Sequence, residues 1–361
     1  MISTTHQLVV EILKPDGAVV GQARASLECF EPAVECLRFH AMRCGRLPLV
    51  FSSPLVARVA PRFDAHAGPT VRSFDLQLLD ASNGAPAQEF IGAELPLSLL
   101  DADAVRVVRA LTRAGKLAET EPTHFRVLGF ATESPSVDSD APSTLTLEAV
   151  PRPLHAAERM LTDFEQRATL VGDREAAEFQ VFLPAGLLAE AEAMKLAAGE
   201  VETGGILIGH LHRDSVGHDL FLEVTAQIPL EHAPAERYRL SFTAATWTAA
   251  QAAIDLRRRD ELMVGWWHSH PARHWKCRDC PPASRLTCPL AQQFFSAADR
   301  ALHATIYTYA AFAVALVLGD RPRADGDWDD AAQLYGWKRG EIAARSFHRL
   351  RDEPAVVPRK E

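Results

Sequence analysis

The apolar run Leu262 to Trp267 leads without a break into His268-Ser269-His270-Pro271. A short continuous apolar run suits a strand covered on both faces, as in an α/β sheet. Side chains alternate along an extended strand, so residues two apart share a face. His268 and His270 therefore point the same way where the buried strand ends, and Pro271 turns the chain immediately after them. Strand ends of this kind carry the sites of many α/β scaffolds. Both imidazoles can reach one metal ion, although an HxH pair alone is a weak signal. A second such pair, His210 and His212, reads as surface or strand-end histidine.

The rest of the chain narrows the choice. Its 361 residues, 47% hydrophobic and 24% charged, suffice for one large domain or two ordinary ones. The formal net charge of -9 argues against a general nucleic-acid binder or a polybasic membrane-surface protein. The N-terminus lacks a basic region followed by a long apolar run, so no signal peptide is expected. The late apolar stretch Tyr309 to Gly319 is too short to span a bilayer. The expectation is a cytoplasmic protein without nucleic-acid or membrane partners. Its six cysteines then stay reduced, and clustered thiols suggest metal more than disulfides. Cys29, Cys36 and Cys44 read as core or half-buried thiols.

The N-terminal half (1–152) reads as an α+β module. Gln7 to Leu13 and Ala18 to Leu27 flank the turn Pro15-Asp16-Gly17, and Glu31 to Cys44 follows as a helix stopped by Gly45. Val71 to Leu79 alternates as a strand, Asp101 to Leu117 is an amphipathic helix, and Phe125 to Ala131 and Leu145 to Val150 are strands. Such a ββα start occurs in β-grasp folds and in many others. Glu133 to Ser143 is a Pro/Ser/Asp-rich linker. Residues 153–177 read as a linker with a connecting helix over His155 to Gln166, and a new body begins near Glu178. There, helices (Pro184 to Ala198, Ala244 to Arg258, Ser296 to Tyr307) alternate with strands (Ile206 to Gly209, Leu220 to Ile228, Leu262 to Trp267, Ala311 to Leu318). Trp266 and Trp267 straddle their strand, which puts one in the core and the other towards a cleft. Residues 351–361 read as a frayed tail.

Ser296-Ala297-Ala298-Asp299 has the form of a helix capping box. Asp299 is thus a cap residue, an oxygen ligand for zinc, or both. Two His and one carboxylate leave one tetrahedral position for water, as in a catalytic zinc site. Zinc lowers the pKa of such a water towards ~7, and a neighbouring carboxylate must move its proton. Glu202, just before Gly204-Gly205, is the candidate. His303, one turn after Asp299, is a second-layer contact or a surface residue.

Glu202-Thr203-Gly204-Gly205-Ile206-Leu207-Ile208-Gly209, then His268-Ser269-His270-Pro271, then Ser296-Ala297-Ala298-Asp299, resembles the JAMM signature of JAB/MPN-domain metalloproteases. The pattern is an upstream Glu, H-[ST]-H-P and S-x-x-D, and its pieces occur here in order. The resemblance covers residues 178–350 and implies an α/β metalloprotease domain with a central mixed sheet flanked by helices. It implies His268, His270 and Asp299 as ligands of a catalytic zinc, Glu202 as general acid/base, and Ser296 as a side chain stabilising the oxyanion. It implies zinc-dependent cleavage of a ubiquitin-like protein from an amine, or trimming of its C-terminus. The bacterial-looking composition suggests a prokaryotic relative, and the resemblance implies a ubiquitin-like conjugation system, antiphage operons included, whose activating (E1-like) and conjugating (E2-like) enzymes are candidate partners. A non-catalytic conjugate-binding scaffold, or a hydrolase of a small amide or sulfur-carrier adduct, stays open beside it.

The sequence departs from the family in one place. Between His270 and Asp299 lie 28 residues, far more than usual, forming an insertion at 272–292. It carries His274, Cys277, Cys280 and Cys288, the ligand types of a structural zinc knuckle. His274 is the candidate fourth ligand, with His303 or another histidine as alternatives.

Overall fold

The computed structural model describes residues 2–50, 55–80, 89–132, 154–175, 178–230, 242–274, 280–287, 295–325 and 327–351. Two compact units emerge, Met1–Leu154 with Arg339–Glu341, and His155–Lys338 with Ile342–Glu361. Among the described residues no helix is long and apolar enough to cross a membrane.

In the first unit, β1 (Ile2–Thr4) and β2 (His6–Leu13) lead through a tight turn into β3 (Val19–Arg24). Helix α1 (Glu31–Arg43) follows, then β4 (Leu55–Phe63), β5 (Val71–Asp80), β6 (Glu89–Leu95), α2 (Asp101–Arg113) and β7 (His124–Ala131). The strands form two sheets, in the orders β1-β4-β5-β6 and β3-β2-β7. The helices start and stop where expected: Pro32 lies in the first turn of α1, and Gly45, with φ +68, turns the chain out of it. β2 has antiparallel neighbours on both sides, and the one parallel pair here is β1 with β4. The expected linker Glu133 to Ser143 and strand Leu145 to Val150 lie outside the described residues.

The second unit is built on one large mixed sheet. Its elements are β8 (Ala157–Arg159), α3 (Leu161–Gln166), β9 (Ala168–Val171), β10 (Gln180–Pro184), α4 (Ala185–Ala198), β11 (Gly204–Asp214) and β12 (Leu220–Pro229). Then come α5 (Ala244–Arg257), β13 (Leu262–His270), α6 (Pro282–Arg285), α7 (Ala297–Ile306), β14 (Val314–Pro322), β15 (Trp328–Lys338), β16 (Glu341–Arg345) and β17 (Phe347–Leu350). The order is β16-β15-β14-β13-β11-β12-β10-β17-β9, with β8 also pairing β11. The connecting helix expected over His155 to Gln166 is therefore corrected. Only Leu161–Gln166 is helical, while β8 and β9 on either side add to the sheet.

The expected helices of this unit form. Pro184 serves as N-cap of α4 and Gly199, at φ +61, ends it. Thr243 and Thr246 make a capping box for α5, which ends on left-handed Arg258. The sheet centre is covered on both faces, so β13 and β14 show no polar alternation: Val264 to Trp267 and Val314 to Leu318 are all buried. β13 runs between antiparallel β11 and parallel β14. The histidine pair thus sits at the C-terminal end of a central strand.

Candidate metal centre

The ladder sets the site. Gly204 pairs with His268 across β11 and β13, and His268 and His270 pair with Val317 and Gly319 of β14. Ser269, between the histidines, donates its N–H to the Thr203 carbonyl at 2.8 Å, while its hydroxyl accepts the Thr203 N–H at 3.0 Å. The backbone bond carries the contact one residue beyond the start of β11, to Thr203, and half-buried Glu202 is the next residue in the chain.

The third side chain arrives from α7. Ser296 is its N-cap: the Ser296 Oγ accepts the Asp299 N–H at 3.2 Å, and Asp299 Oδ2 accepts the Ser296 N–H at 2.8 Å. The capping box that fixes the helix start therefore also fixes the Asp299 carboxylate. His268 Nε2 and His270 Nε2 lie 3.0 Å apart. Asp299 Oδ1 is 3.4 Å from the first and Oδ2 is 3.6 Å from the second. A tetrahedral zinc with bonds of about 2.0–2.2 Å has ligand–ligand edges of about 3.3–3.6 Å. The two imidazole nitrogens and the Asp299 carboxylate lie close to that spacing, and these three side chains are the one such cluster among the described residues. Burial pushes the Asp299 carboxyl up. Bonding to His268 and Ser296 and the charges of both histidines outweigh this and bring its pKa to about 2. Near neutral pH the carboxyl is therefore an anion, the form that binds a metal.

Around the cluster the sequence reading needs correction. Both tryptophans are fully buried, so neither lines a cleft. Trp267 donates its indole N–H to Gln227 Oε1 at 3.1 Å, and Trp266 donates to His303 Nδ1 at 3.2 Å. His303 is buried and not a surface residue, and burial alone holds its pKa down at about 3. His212 is buried against Glu223 at 2.8 Å, because β12 covers that end of β11. His210 lines a separate shallow pocket with His155 and Asp260.

Of the Cys-rich insertion, His274 ends a short 3-10 turn, Ala272–His274, and Cys280 is half-buried. Cys277 and Cys288 lie outside the described residues. The root of the insertion is clamped. Asp320 accepts the Arg273 backbone N–H at 3.0 Å and its Nε–H at 2.8 Å, and Lys195 Nζ reaches the same carboxylate at 3.2 Å. None of Lys195, Arg273 and Asp320 carries a motif. Lys195 was still detectable, because it continues the buried α4 stripe Leu187 and Ala191 at four-residue spacing.

Residues 184–274 match the family model of prokaryotic homologs of the JAB domain. Over this stretch, about a quarter of the chain, the sequence is similar to the JAB domain. The match takes in Glu202, His268, His270 and His274 and stops short of Ser296 and Asp299. Two solved structures are similar to parts of the chain. A protein from Desulfitobacterium hafniense is 17% identical over 50% of this chain and 99% of that one, with a TM-score of 0.29. A protein from Salinibacter ruber is 20% identical over 48% of this chain and 92% of that one, with a TM-score of 0.27. No curated protein matches the sequence. The JAB domain superfamily contains metallopeptidases.

Proposed function

We propose that this chain is a zinc-dependent isopeptidase that removes or trims a ubiquitin-like protein in the cytoplasm. Its setting is a bacterial ubiquitin-like conjugation system, antiphage operons included, where E1-like and E2-like enzymes are its partners. The observation that carries this reading is the convergence of His268, His270 and Asp299 at 3.0 to 3.6 Å, with both histidines inside the stretch that matches the JAB family.

A zinc ion held by these three side chains would lower the pKa of a water towards ~7 and polarise a carbonyl. The chain's own residues do the rest. Glu202, two residues before the Gly204 that pairs with His268, takes the proton of the attacking water and hands it to the departing lysine nitrogen. The Ser296 oxygen already accepts the Asp299 N–H, which leaves its O–H to donate to the developing oxyanion. Burial of His268 and His270 keeps bulk water from competing for the same lone pairs.

The insertion holds a second, structural zinc through Cys277, Cys280, Cys288 and His274. The half-buried His274 and Cys280 support this part, and a closed site would keep three thiols from competing for the catalytic ion. Cys280→Ser should release one zinc per chain, and a variant that keeps both would refute it.

The test of the catalytic reading is the pair Glu202→Gln and His270→Ala, assayed on a linear fusion of a ubiquitin-like protein. Glu202→Gln should keep zinc and lose cleavage, whereas His270→Ala should lose both. A Glu202→Gln protein that still cleaves refutes the role of Glu202. A wild-type chain that binds conjugates without cleaving them would be a scaffold.

A further inference from the structure

A metal-binding imidazole usually donates its second ring N–H to a carboxylate, a carbonyl or a water, which fixes the tautomer and orients the ring. For His268 no protein acceptor among the described residues plays this part. Its Nδ1 is buried and has no hydrogen-bond partner among the described residues. The ring lies instead flat on Trp266, with centroids 4.6 Å apart and planes 12° apart. Phe295 closes on both rings, its centroid 6.2 Å from each.

Trp266 is itself anchored. Its indole N–H donates to His303 Nδ1. An indole can only donate, so this bond calls for the neutral His303 tautomer with its proton on Nε2, an atom that is buried and has no hydrogen-bond partner among the described residues. Burial supports that state, because it disfavours the imidazolium. The rings packed around His303, besides Trp266, are Phe295, Tyr307 and Trp337, none of them charged near neutral pH. The Tyr307 hydroxyl donates to the Gly265 carbonyl, next to Trp266 in β13, and the Trp337 indole donates to the Tyr307 carbonyl. Helix α7 thus supplies Asp299 from its first turn and, one turn later, the acceptor that holds the surface beneath His268.

We propose that Trp266 and His303 are positioning residues of the metal centre: the indole, held by His303, takes the place of the missing acceptor and keeps His268 Nε2 turned towards His270 and Asp299. This rests on the zinc reading of the preceding subsection. It differs from core packing in a measurable way, since it ties metal affinity to a hydrogen bond that touches no ligand.

The experiment measures zinc affinity of the full chain by competition with a chromophoric chelator, and records the visible spectrum of the cobalt-loaded chain. The component lost in His270→Ala marks this site. His303→Leu removes the acceptor, and His303→Gln puts an amide oxygen in its place. His303→Leu should bind zinc 10–100-fold more weakly, the usual effect of losing an outer contact of a metal ligand, and should shift the cobalt bands. His303→Gln should stay within a few-fold of wild type. Near-UV circular dichroism reports whether each variant is folded. Should His303→Leu fail to fold, Trp266→Phe carries the same test, because it keeps a stacked aromatic ring while removing the N–H together with the rest of the indole's five-membered ring. Folded variants with wild-type zinc affinity and an unchanged cobalt spectrum overturn the proposal, as does a His303→Gln chain as weak as His303→Leu. A wild-type chain that binds no zinc at this site overturns the metal reading itself and the positioning role with it.

Discussion

Lys195 Nζ donates to the Gly319 carbonyl at 3.2 Å, and Gly319 is the residue paired with His270 across β13 and β14. The same ammonium reaches Glu192, Asp320 and Asp330, and Asp320 in turn holds the backbone and guanidinium of Arg273, three residues after His270. A buried charge network therefore braces the end of the strand that carries both histidines. Removing Lys195 takes one cation from Asp320, which keeps Arg273, so the cost should be about 1–3 kcal/mol, below that of a fully uncompensated buried charge. Lys195→Met should lose stability of that order in urea denaturation. A loss below about 1 kcal/mol would mean that the network contributes little.

Ser296 has two roles that different substitutions separate. Ser296→Ala loses the cap and should cost about 1 kcal/mol of stability. Ser296→Asn keeps a capping oxygen and loses the hydroxyl, so its stability should be near wild type. Both should cleave about 100–1000-fold more slowly if the O–H stabilises the oxyanion. Equal turnover by Ser296→Asn and wild type would leave Ser296 a cap alone.

His303 makes the fold sensitive to acid. Its pKa falls from about 6.5 in the unfolded chain to about 3 in the folded one. Between these values the unfolded state binds the extra proton. Its contribution is complete above about 6.5 and should be lost at about 1.4 kcal/mol per pH unit as the pH falls towards 3. His303→Gln removes this share of the slope. Urea midpoints at pH 7 and pH 5 compare the two, and identical slopes would refute the assignment.

Gly205 shows why the paired glycines matter apart from any catalytic motif. A Cβ there would come within 2.5 Å of both Gln227 Oε1 and Trp267 Nε1 and 2.8 Å of the Ile228 carbonyl. The hydrogen bond between the Trp267 indole and Gln227 occupies that space. Gly205→Ala should destabilise by about 1–3 kcal/mol, and a thermal melt at the wild-type temperature would contradict the crowding.

The centre of the second unit was legible because its signals are local. An apolar run ending in H-S-H-P can lie in a buried strand, and β13 spans Leu262–His270 as the alternation argument requires. Ser296 and Asp299 form the capping box their spacing announces. What sequence reasoning missed depends on partners distant in the chain. Nothing near Trp266 announces that His303 lies beneath its indole, and nothing near Arg273 announces Lys195 and Asp320. Both tryptophans are buried because β13 is covered on both faces, a fact about neighbouring layers and not about alternation.

Short or interrupted strands were also hard to read. β8 and β9 have 3 and 4 residues, too few for a period to register. β4 contains Pro61, which reads as a strand breaker. The structure accommodates it because β1 pairs β4 only over Ala57, Arg58 and Val59, so on that side no ladder bond is required of Pro61.

The most direct test of the account is zinc per chain in purified protein, wild type beside His270→Ala and Cys280→Ser, measured by elemental analysis after exhaustive dialysis. The account predicts two zinc ions for wild type and one for each variant, with cleavage of the fusion abolished in His270→Ala. A His270→Ala chain that keeps its full zinc content, or a wild-type chain that cleaves equally well after complete zinc removal, would contradict the metal centre formed by His268, His270 and Asp299.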